Sequence, residues 1–153
     1  MKALHCLCHT HHRFAPLAAR LTLGLVMFPH GAQKALGWFG GYGYSGTMGY
    51  FTQSMHIPAP LAFLAIAAEF AGSICLILGL FSRLAAAAIA ANMIVAIFMV
   101  HAANGFFMNW TGNQKGEGFE YHLLAVGLAL IVLVQGAGAA SLDGLIAPRA
   151  AKA

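Results

Sequence analysis

The sequence predicts an all-α membrane protein, an antiparallel four-transmembrane-helix bundle with a glycine- and aromatic-rich outer loop after the first helix. Of its 153 residues, 60% are hydrophobic and 8% are charged, whereas about 25% of residues are charged in an ordinary soluble domain. Four separate stretches are apolar over roughly 20 residues, the length that crosses a hydrocarbon core of about 30 Å. Each stretch is continuously apolar and lacks the alternation of a barrel strand, so helices are predicted.

The four predicted spans cover residues 17–37, 60–80, 84–103 and 121–138, and their short connections favour antiparallel neighbours. Basic residues concentrate at the two chain ends and in the turn between spans two and three, so the positive-inside rule predicts cytoplasmic termini. These residues are scattered singly, which argues against a nucleic-acid partner. A signal peptide built on LTLGLVMF is the alternative for the first span, but the apolar run continues past any cleavage point.

Residues 1–16 are predicted to form a flexible cytoplasmic tail rich in cysteine and histidine. Thiolate and imidazole groups suit Zn or Cu(I), so Cys6, Cys8, His9 and His11 are candidate metal ligands. Their spacing lacks the C-x2-C rhythm of structural zinc sites, and adventitious binding by a disordered tail is the alternative. The odd cysteine count, with two thiols in a reducing compartment, argues against a disulfide framework.

The first span presents a narrow stripe of residues spaced by three and four positions, which places them on one helix face. Its glycines would let another helix approach closely. We expect the guanidinium at the inner end of the stripe to extend toward the cytoplasmic interface. The stripe consists of Arg20, Gly24, Met27, Gly31 and Lys34.

Polar side chains gather at the outer end of this span, where His30, Gln33 and Lys34 share one face just after Pro29. They are candidates for proton transfer or ligand binding, and hydrogen bonding between helices without chemistry is the alternative. The segment that follows, WFGGYGYSGTMGYFTQSMHI, is too short to span again and carries the aromatic residues of a membrane interface. We expect it to lie on the outer face as a lid over the bundle.

The second span contains the acidic residue expected near the middle of the membrane, Glu69. Small residues spaced by three and four positions share its face and would turn it into the bundle. A carboxyl group there is costly in either protonation state unless it has a partner. Two interpretations stay open: an ion pair with Arg20, His30 or Lys34, or a carboxyl that stores and releases a proton.

Spans three and four bring further polar groups to the outer half of the predicted bundle. No metalloprotease motif or carboxylate cluster occurs among them. A polar pocket under an aromatic lid would suit a quinone headgroup, a small sulfur compound or a partner protein. The outer groups are His30, Gln33, Lys34, His101, Asn104, Glu120 and His122.

Several motifs follow one another in a fixed order along residues 17–143. They are HGAQKALGWFGGYGYSGT at 30–47, IPAPLAFLAIAAEFAGSICLILGLFSR at 57–83, His101 with Asn104 and the following GFF, and GAGAASLD at 136–143. This order resembles the DoxX family of small four-span bacterial membrane proteins. The resemblance implies a bacterial inner-membrane protein whose relatives include the DoxD-type membrane subunit of thiosulfate:quinone oxidoreductase. The remaining residues, 144–153, are predicted to be a cytoplasmic tail.

We therefore expect a quinone-linked membrane component of a redox or sulfur-compound oxidoreductase system, embedded in the lipid bilayer and served by a soluble or membrane oxidoreductase partner. His30, Glu69 and His101 are the expected catalytic groups, and Arg83 is a further family-like position. The alternative is a non-catalytic membrane scaffold or binding subunit, with metal handling by the tail. Self-association as a homo-oligomer is also expected. The expected substrate-binding residues are Gln33, Lys34, Asn104, Glu120 and His122.

Overall fold

The structure is a computed structural model that describes residues 13–146. Within this range every regular element is helical and no β-strand occurs, so the all-α prediction is confirmed. The predicted metal ligands Cys6, Cys8, His9 and His11 lie outside the described residues. The end of the predicted C-terminal tail, residues 147–153, also lies outside them.

Four long helices account for most of the described chain, and two short helices connect or follow them. α1 begins at Phe14, three residues before the predicted start of the first span. α4 continues beyond its last α-helical residue through a π-helical turn, Ile97–His101, and a 3-10 turn, Ala102–Asn104. The helices are α1 (Phe14–Leu36), α2 (Gly43–Gly49), α3 (Ala59–Leu78), α4 (Ser82–Ala96), α5 (Glu120–Gln135) and α6 (Leu142–Ile146).

The long helices pack side by side in the order α1, α3, α4 and α5, and α5 returns to contact α1. α3 and α4 run antiparallel because a tight turn connects them. Aliphatic side chains from all four helices fill the space between them. The buried core consists of Ala19, Leu23, Met27, Leu76, Ala85, Ala86, Ile89, Ala90, Met93, Ala125, Ala129 and Val132.

α1 and α3 approach each other at the glycine stripe predicted from the sequence. A Cβ atom added to Gly31 would lie 2.5 Å from the Cα of Phe70, and one added to Gly24 would lie 3.0 Å from Cγ1 of Ile77. Only a hydrogen atom fits at Gly31, so the prediction that the stripe receives another helix is confirmed. Pro29 lies inside α1, and the helix continues past it.

Two helices of the described region are long and apolar enough to cross a membrane. They are α3 and the continuous helical stretch Ser82–Asn104, with mean hydropathies of 2.3 and 2.1. α5 is apolar but has 16 residues. The second and third predicted spans therefore have the length and composition that a membrane requires, while the first and fourth stay predictions.

The side chain of Arg20 differs from the sequence prediction, because its guanidinium is buried and does not extend toward the cytoplasmic interface. The residue is 1% exposed. A helix end and an irregular segment leave carbonyl oxygens without regular helical partners, and the five N–H donors of a guanidinium can satisfy them. Arg20 donates hydrogen bonds of 2.5 to 3.1 Å to the backbone carbonyls of Leu76, Ile77, Ala137, Ala139 and Ala140.

Asp143 is the acidic counterpart at the same end of the molecule, which we call the Arg20 end. Its buried carboxylate accepts hydrogen bonds from the backbone N–H groups of Phe81 at 2.7 Å and Ser82 at 2.9 Å. A carboxylate at a helix N-terminus satisfies free N–H groups and complements the helix dipole, so Asp143 caps α4. Ser141 accepts a hydrogen bond from the N–H of Gly144 and caps α6.

Candidate functional site

A cavity of about 1010 Å³ lies along α3 and α4 and extends to the opposite end of the molecule, which we call the His101 end. Alanine and leucine side chains form much of its wall on these two helices. Leu61, Leu64 and Leu84 line the cavity and are each more than half exposed, so the cavity opens sideways between α3 and α4. Residues of α1, α5 and the lid segment (residues 38–57) complete the lining at the His101 end.

Glu69 occupies the middle of the cavity wall and joins three helices. It is 5% exposed, and its Oε2 atom lies 2.5 Å from Nζ of Lys34 on α1. Its Oε1 atom accepts a hydrogen bond of 2.8 Å from Nδ2 of Asn92 on α4. Both oxygens of the buried carboxylate therefore have partners, as a buried charge requires. Of the three cations considered from the sequence, Lys34 forms the ion pair.

Two histidines lie against each other where α4 meets α5. The ring centroids of His101 and His122 are 4.0 Å apart, with an interplanar angle of 40°. Nδ1 of His101 lies 2.9 Å from the carbonyl oxygen of Glu117. Because a carbonyl only accepts, this contact assigns the proton of His101 to Nδ1 and leaves Nε2 free of it in the neutral ring.

His122 differs from its neighbour because one of its nitrogens is buried without a partner. The residue is 7% exposed, and within residues 13–146 its Nδ1 atom has no hydrogen-bond partner. Buried polar atoms are nearly always hydrogen-bonded, so an unpaired one requires an explanation. The residue lines the cavity, but Nδ1 itself has no accessible surface there.

An aromatic residue that sequence analysis did not select, Tyr121, lies next to these histidines. Its ring centroid is 6.0 Å from that of His30 and 5.5 Å from that of His122. Its hydroxyl is 3.3 Å from the sulfur of Met27, a weak acceptor. Tyr121 therefore supports the imidazole rings of α1 and α5 within the same cavity lining.

The lid segment, predicted as an outer loop, contains a short helix and two helical turns. α2 packs on α1 and α3, and a π-helical turn, Tyr50–Ser54, follows it. Side chains after α2, including Phe51, Met55 and His56, line the cavity at the His101 end. The lid segment thus covers the His101 end of the cavity, which is the position predicted for it from the sequence.

Most of the predicted catalytic and substrate-binding residues lie on this one cavity. All three predicted catalytic residues line it, together with two of the predicted substrate-binding residues. Asn92 also lines it and was missed as a site residue. A lone amide in the middle of an alanine-rich apolar span was the signal that could have identified it. The predicted residues that line the cavity are His30, Lys34, Glu69, His101 and His122.

Gln33, Asn104 and Glu120 do not line the cavity, and each is bonded to a connecting segment. Nε2 of Gln33 donates to the carbonyl of Phe39. Nδ2 of Asn104 donates to a carbonyl of the segment between α4 and α5. Oε1 of Glu120 accepts from Nε1 of Trp110 at 2.9 Å. These three side chains hold the connections of the His101 end in place.

Arg83, the remaining family-like position, lies at the start of α4 and donates a hydrogen bond to the carbonyl of Leu133. This bond joins the beginning of α4 to the end of α5 at the Arg20 end, away from the histidines.

Across residues 13–146, no group of three His, Cys, Asp or Glu side chains is placed to hold a metal ion.

Family comparison adds an independent observation. The sequence model of the DoxX family matches residues 15–102, more than half of the chain. The chain belongs to the DoxX family. No curated protein and no solved structure shows significant similarity to it. The DoxX match includes Lys34, Glu69, Asn92 and His101, and it ends before α5 and His122.

Proposed function

We propose that this DoxX-family membrane protein is a quinone-linked component of a redox or sulfur-compound oxidoreductase system. The observation that carries the proposal is a single cavity with a long apolar wall and hydrogen-bonding side chains concentrated toward one end. A quinone headgroup is a flat apolar ring whose carbonyl oxygens accept hydrogen bonds, so it matches this distribution. The lining at that end includes His30, Lys34 and His122, whose side chains can donate hydrogen bonds.

In this proposal the polar end of the cavity divides into binding and proton-transfer groups. His122 and Lys34 hold the carbonyl oxygens, since both side chains can donate hydrogen bonds and both line the cavity. A bound quinone supplies two-electron chemistry and takes up two protons when it is reduced to the quinol. His30 and His101 transfer those protons, and Glu69 acts as their store or as the counter-ion of Lys34.

The electrons come from a sulfur compound or from a partner oxidoreductase, because the side chains that line the cavity are not themselves redox cofactors. A soluble or membrane-bound partner is therefore part of the proposal. Exposed aromatic residues at the His101 end, including Trp110 and Tyr42, give such a partner or the membrane interface a surface to contact.

We further propose that all four long helices cross the bacterial inner membrane with both termini in the cytoplasm. α1 carries two charges that lower its hydropathy, yet both have partners inside the protein. Arg20 donates to backbone carbonyls and Lys34 pairs with Glu69, so the cost of carrying these charges into the membrane is reduced. The distribution of basic residues supports this orientation.

Quinone binding by the purified protein in lipid nanodiscs tests the proposal. We expect saturable binding of a quinone, weakened about tenfold in a His122→Phe variant, because one hydrogen bond to the quinone is lost while ring volume is retained. Gln33→Leu is the matched control, since Gln33 is polar but lies outside the cavity lining. Equal affinity in all three proteins would contradict the binding role.

Turnover tests the redox part of the proposal. With a sulfur donor such as thiosulfate, the protein together with its partner should reduce quinone. A His30→Ala, Glu69→Gln double variant should lose most of this activity, and full retention would rule out the assigned proton-transfer groups.

One observation favours a second candidate function, a non-catalytic scaffold. Glu69 already has two partners, Lys34 and Asn92, without any ligand. In a scaffold these residues would only hold the helices together. The expected outcome is then a loss of folded protein and of a copurifying partner in Glu69→Gln, with no quinone binding by the unmodified protein.

A further inference from the structure

We infer that the apolar half of the cavity, toward the Arg20 end, is a groove for a hydrocarbon tail that opens into the bilayer between α3 and α4. The ligand is then an amphiphile with a polar ring and a long tail, and it reaches the site from the lipid phase. This inference rests on the proposed function, because it assigns the second half of the same ligand.

The cavity is larger than the headgroup of the ligand requires. At about 1010 Å³ it lies at the upper end of the range of roughly 300 to 1,000 Å³ for small-molecule pockets. A single benzene ring fits a cavity of about 150 Å³. A headgroup held by His122 and Lys34 would therefore leave most of the space unfilled, and that space has an apolar wall.

The part of the cavity that a headgroup leaves unfilled has an apolar wall. Below Glu69, toward the Arg20 end, the lining from α3 and α4 includes small apolar side chains such as Ala71 and Ala88. Cys75, six residues after Glu69, also lines this part. At 1.5 Å per helical residue it is about 9 Å farther along α3, a depth that a short hydrocarbon tail spans.

The cavity also opens sideways, between α3 and α4. Ala71 on α3 and Leu84 and Ala91 on α4 line the cavity and are also exposed. α3 and the stretch Ser82–Asn104 are the two described helices with the length and hydropathy of a membrane span. An opening between two such helices faces hydrocarbon, so an apolar tail can enter without crossing water.

The polar end decides between an amphiphile and a purely apolar occupant. A lipid tail or the apolar face of another helix could fill the groove beside Ala71 and Ala88. Neither would offer a hydrogen-bond acceptor to the polar side chains that line the His101 end, namely His30, Lys34 and His122. A ligand with a carbonyl group at one end and a hydrocarbon tail at the other satisfies both halves of the cavity.

Cys75 provides a direct test, because it is half-buried and lines the tail groove. The full chain carrying Cys6→Ser and Cys8→Ser is placed in phosphatidylcholine nanodiscs, and Cys75 is labelled with a membrane-permeable maleimide. At about 90% occupancy, a benzoquinone with a ten-carbon tail should slow labelling about tenfold, since labelling follows the unoccupied fraction. The same quinone ring without a tail should leave the labelling rate unchanged.

A second measurement uses a variant that fills the groove. Ala88→Phe should weaken binding of the tailed quinone about tenfold and leave binding of the tailless ring unchanged. Gly127→Phe is the control, because a side chain added there on α5 meets open space. If Ala88→Phe fails to fold, the labelling of Cys75 in the unfilled groove still decides the inference.

The outcomes separate the two proposals. Tailless and tailed quinones that bind equally, with Cys75 labelled at the same rate in both, would overturn the tail groove and leave the proposed function intact. Absence of binding by either quinone would overturn both. Equal protection of Cys75 by dodecane would show that any hydrocarbon fills the groove and would overturn the selection of an amphiphile.

Discussion

Arg20 donates its Nε hydrogen to the carbonyl oxygen of Ala137, 2.8 Å away and 117 positions farther along the chain. Together with four other carbonyl contacts, this bond ties α1 to the end of α3 and to the segment after α5. Arg20→Lys keeps the charge but offers three donors from a single atom instead of five in a planar fork. We expect the substitution to lower the free energy of unfolding by roughly 2 to 4 kcal/mol.

Denaturant titration of the protein in detergent micelles measures this loss. Arg13→Lys, at the exposed start of α1, makes the same chemical change where burial is absent, and it should alter stability by less than about 0.5 kcal/mol. Similar effects at both positions would mean that the carbonyl contacts of Arg20 contribute little.

Gly31 sets the distance between α1 and α3. A methyl group at this position would lie 2.5 Å from the Cα of Phe70, so Gly31→Ala should force the helices apart and destabilise the protein by about 1 to 3 kcal/mol. Gly127→Ala on α5 meets nothing within 4 Å and should stabilise by up to about 1 kcal/mol through helix propensity. Thermal unfolding of the two variants should therefore shift in opposite directions, and a parallel shift would contradict the close approach.

Lys34 and Glu69 should behave as a coupled pair. Lys34→Met strands a buried carboxylate, and Glu69→Gln leaves a partly buried ammonium without its counter-ion, so each single change should destabilise by roughly 2 to 4 kcal/mol. The double variant removes both charges and should lose clearly less than the sum of the two. If the two losses of unfolding free energy are additive in this double-mutant cycle, the ion pair does not stabilise the protein.

Asp143 caps α4 from outside that helix, and graded substitution can measure the cap. Asp143→Ala removes both acceptors of the Phe81 and Ser82 N–H groups and should destabilise by about 1 to 2 kcal/mol. Asp143→Asn keeps one carbonyl acceptor and should lose less, because only the charge and one hydrogen bond are removed. Equal stability of the alanine and asparagine variants would argue against a hydrogen-bonding cap.

The sequence was informative where a local pattern carries the physical cause. Apolar length predicted the long helices, residue spacing predicted the glycine approach at Gly31, and the cost of a buried carboxylate predicted a partner for Glu69. Each of these features depends on residues within one helix, or on one charged group whose burial is energetically unfavourable without a partner. Such features can be recognised before the neighbouring helices are placed.

Other features depend on distant parts of the chain and were missed for that reason. The acceptors of Arg20 are carbonyls that lie far from it in sequence, and carbonyl groups leave no sequence signal. The cavity is lined by residues of four helices and the lid segment, and periodicity alone does not determine which faces of these helices meet. α2 forms in a glycine-rich segment against its intrinsic preference, because packing on α1 and α3 outweighs propensity.

The contacts of Arg20 also impose an order on biosynthesis. A chain made from its N-terminus presents α1 long before the carbonyls of Ala137, Ala139 and Ala140 exist, and α4 before Asp143 can cap it. Until the segment after α5 is made, the buried guanidinium lacks three of its five acceptors. A ribosome that stops early would therefore release a nascent chain with an uncompensated charge, which membrane quality control can recognise and degrade.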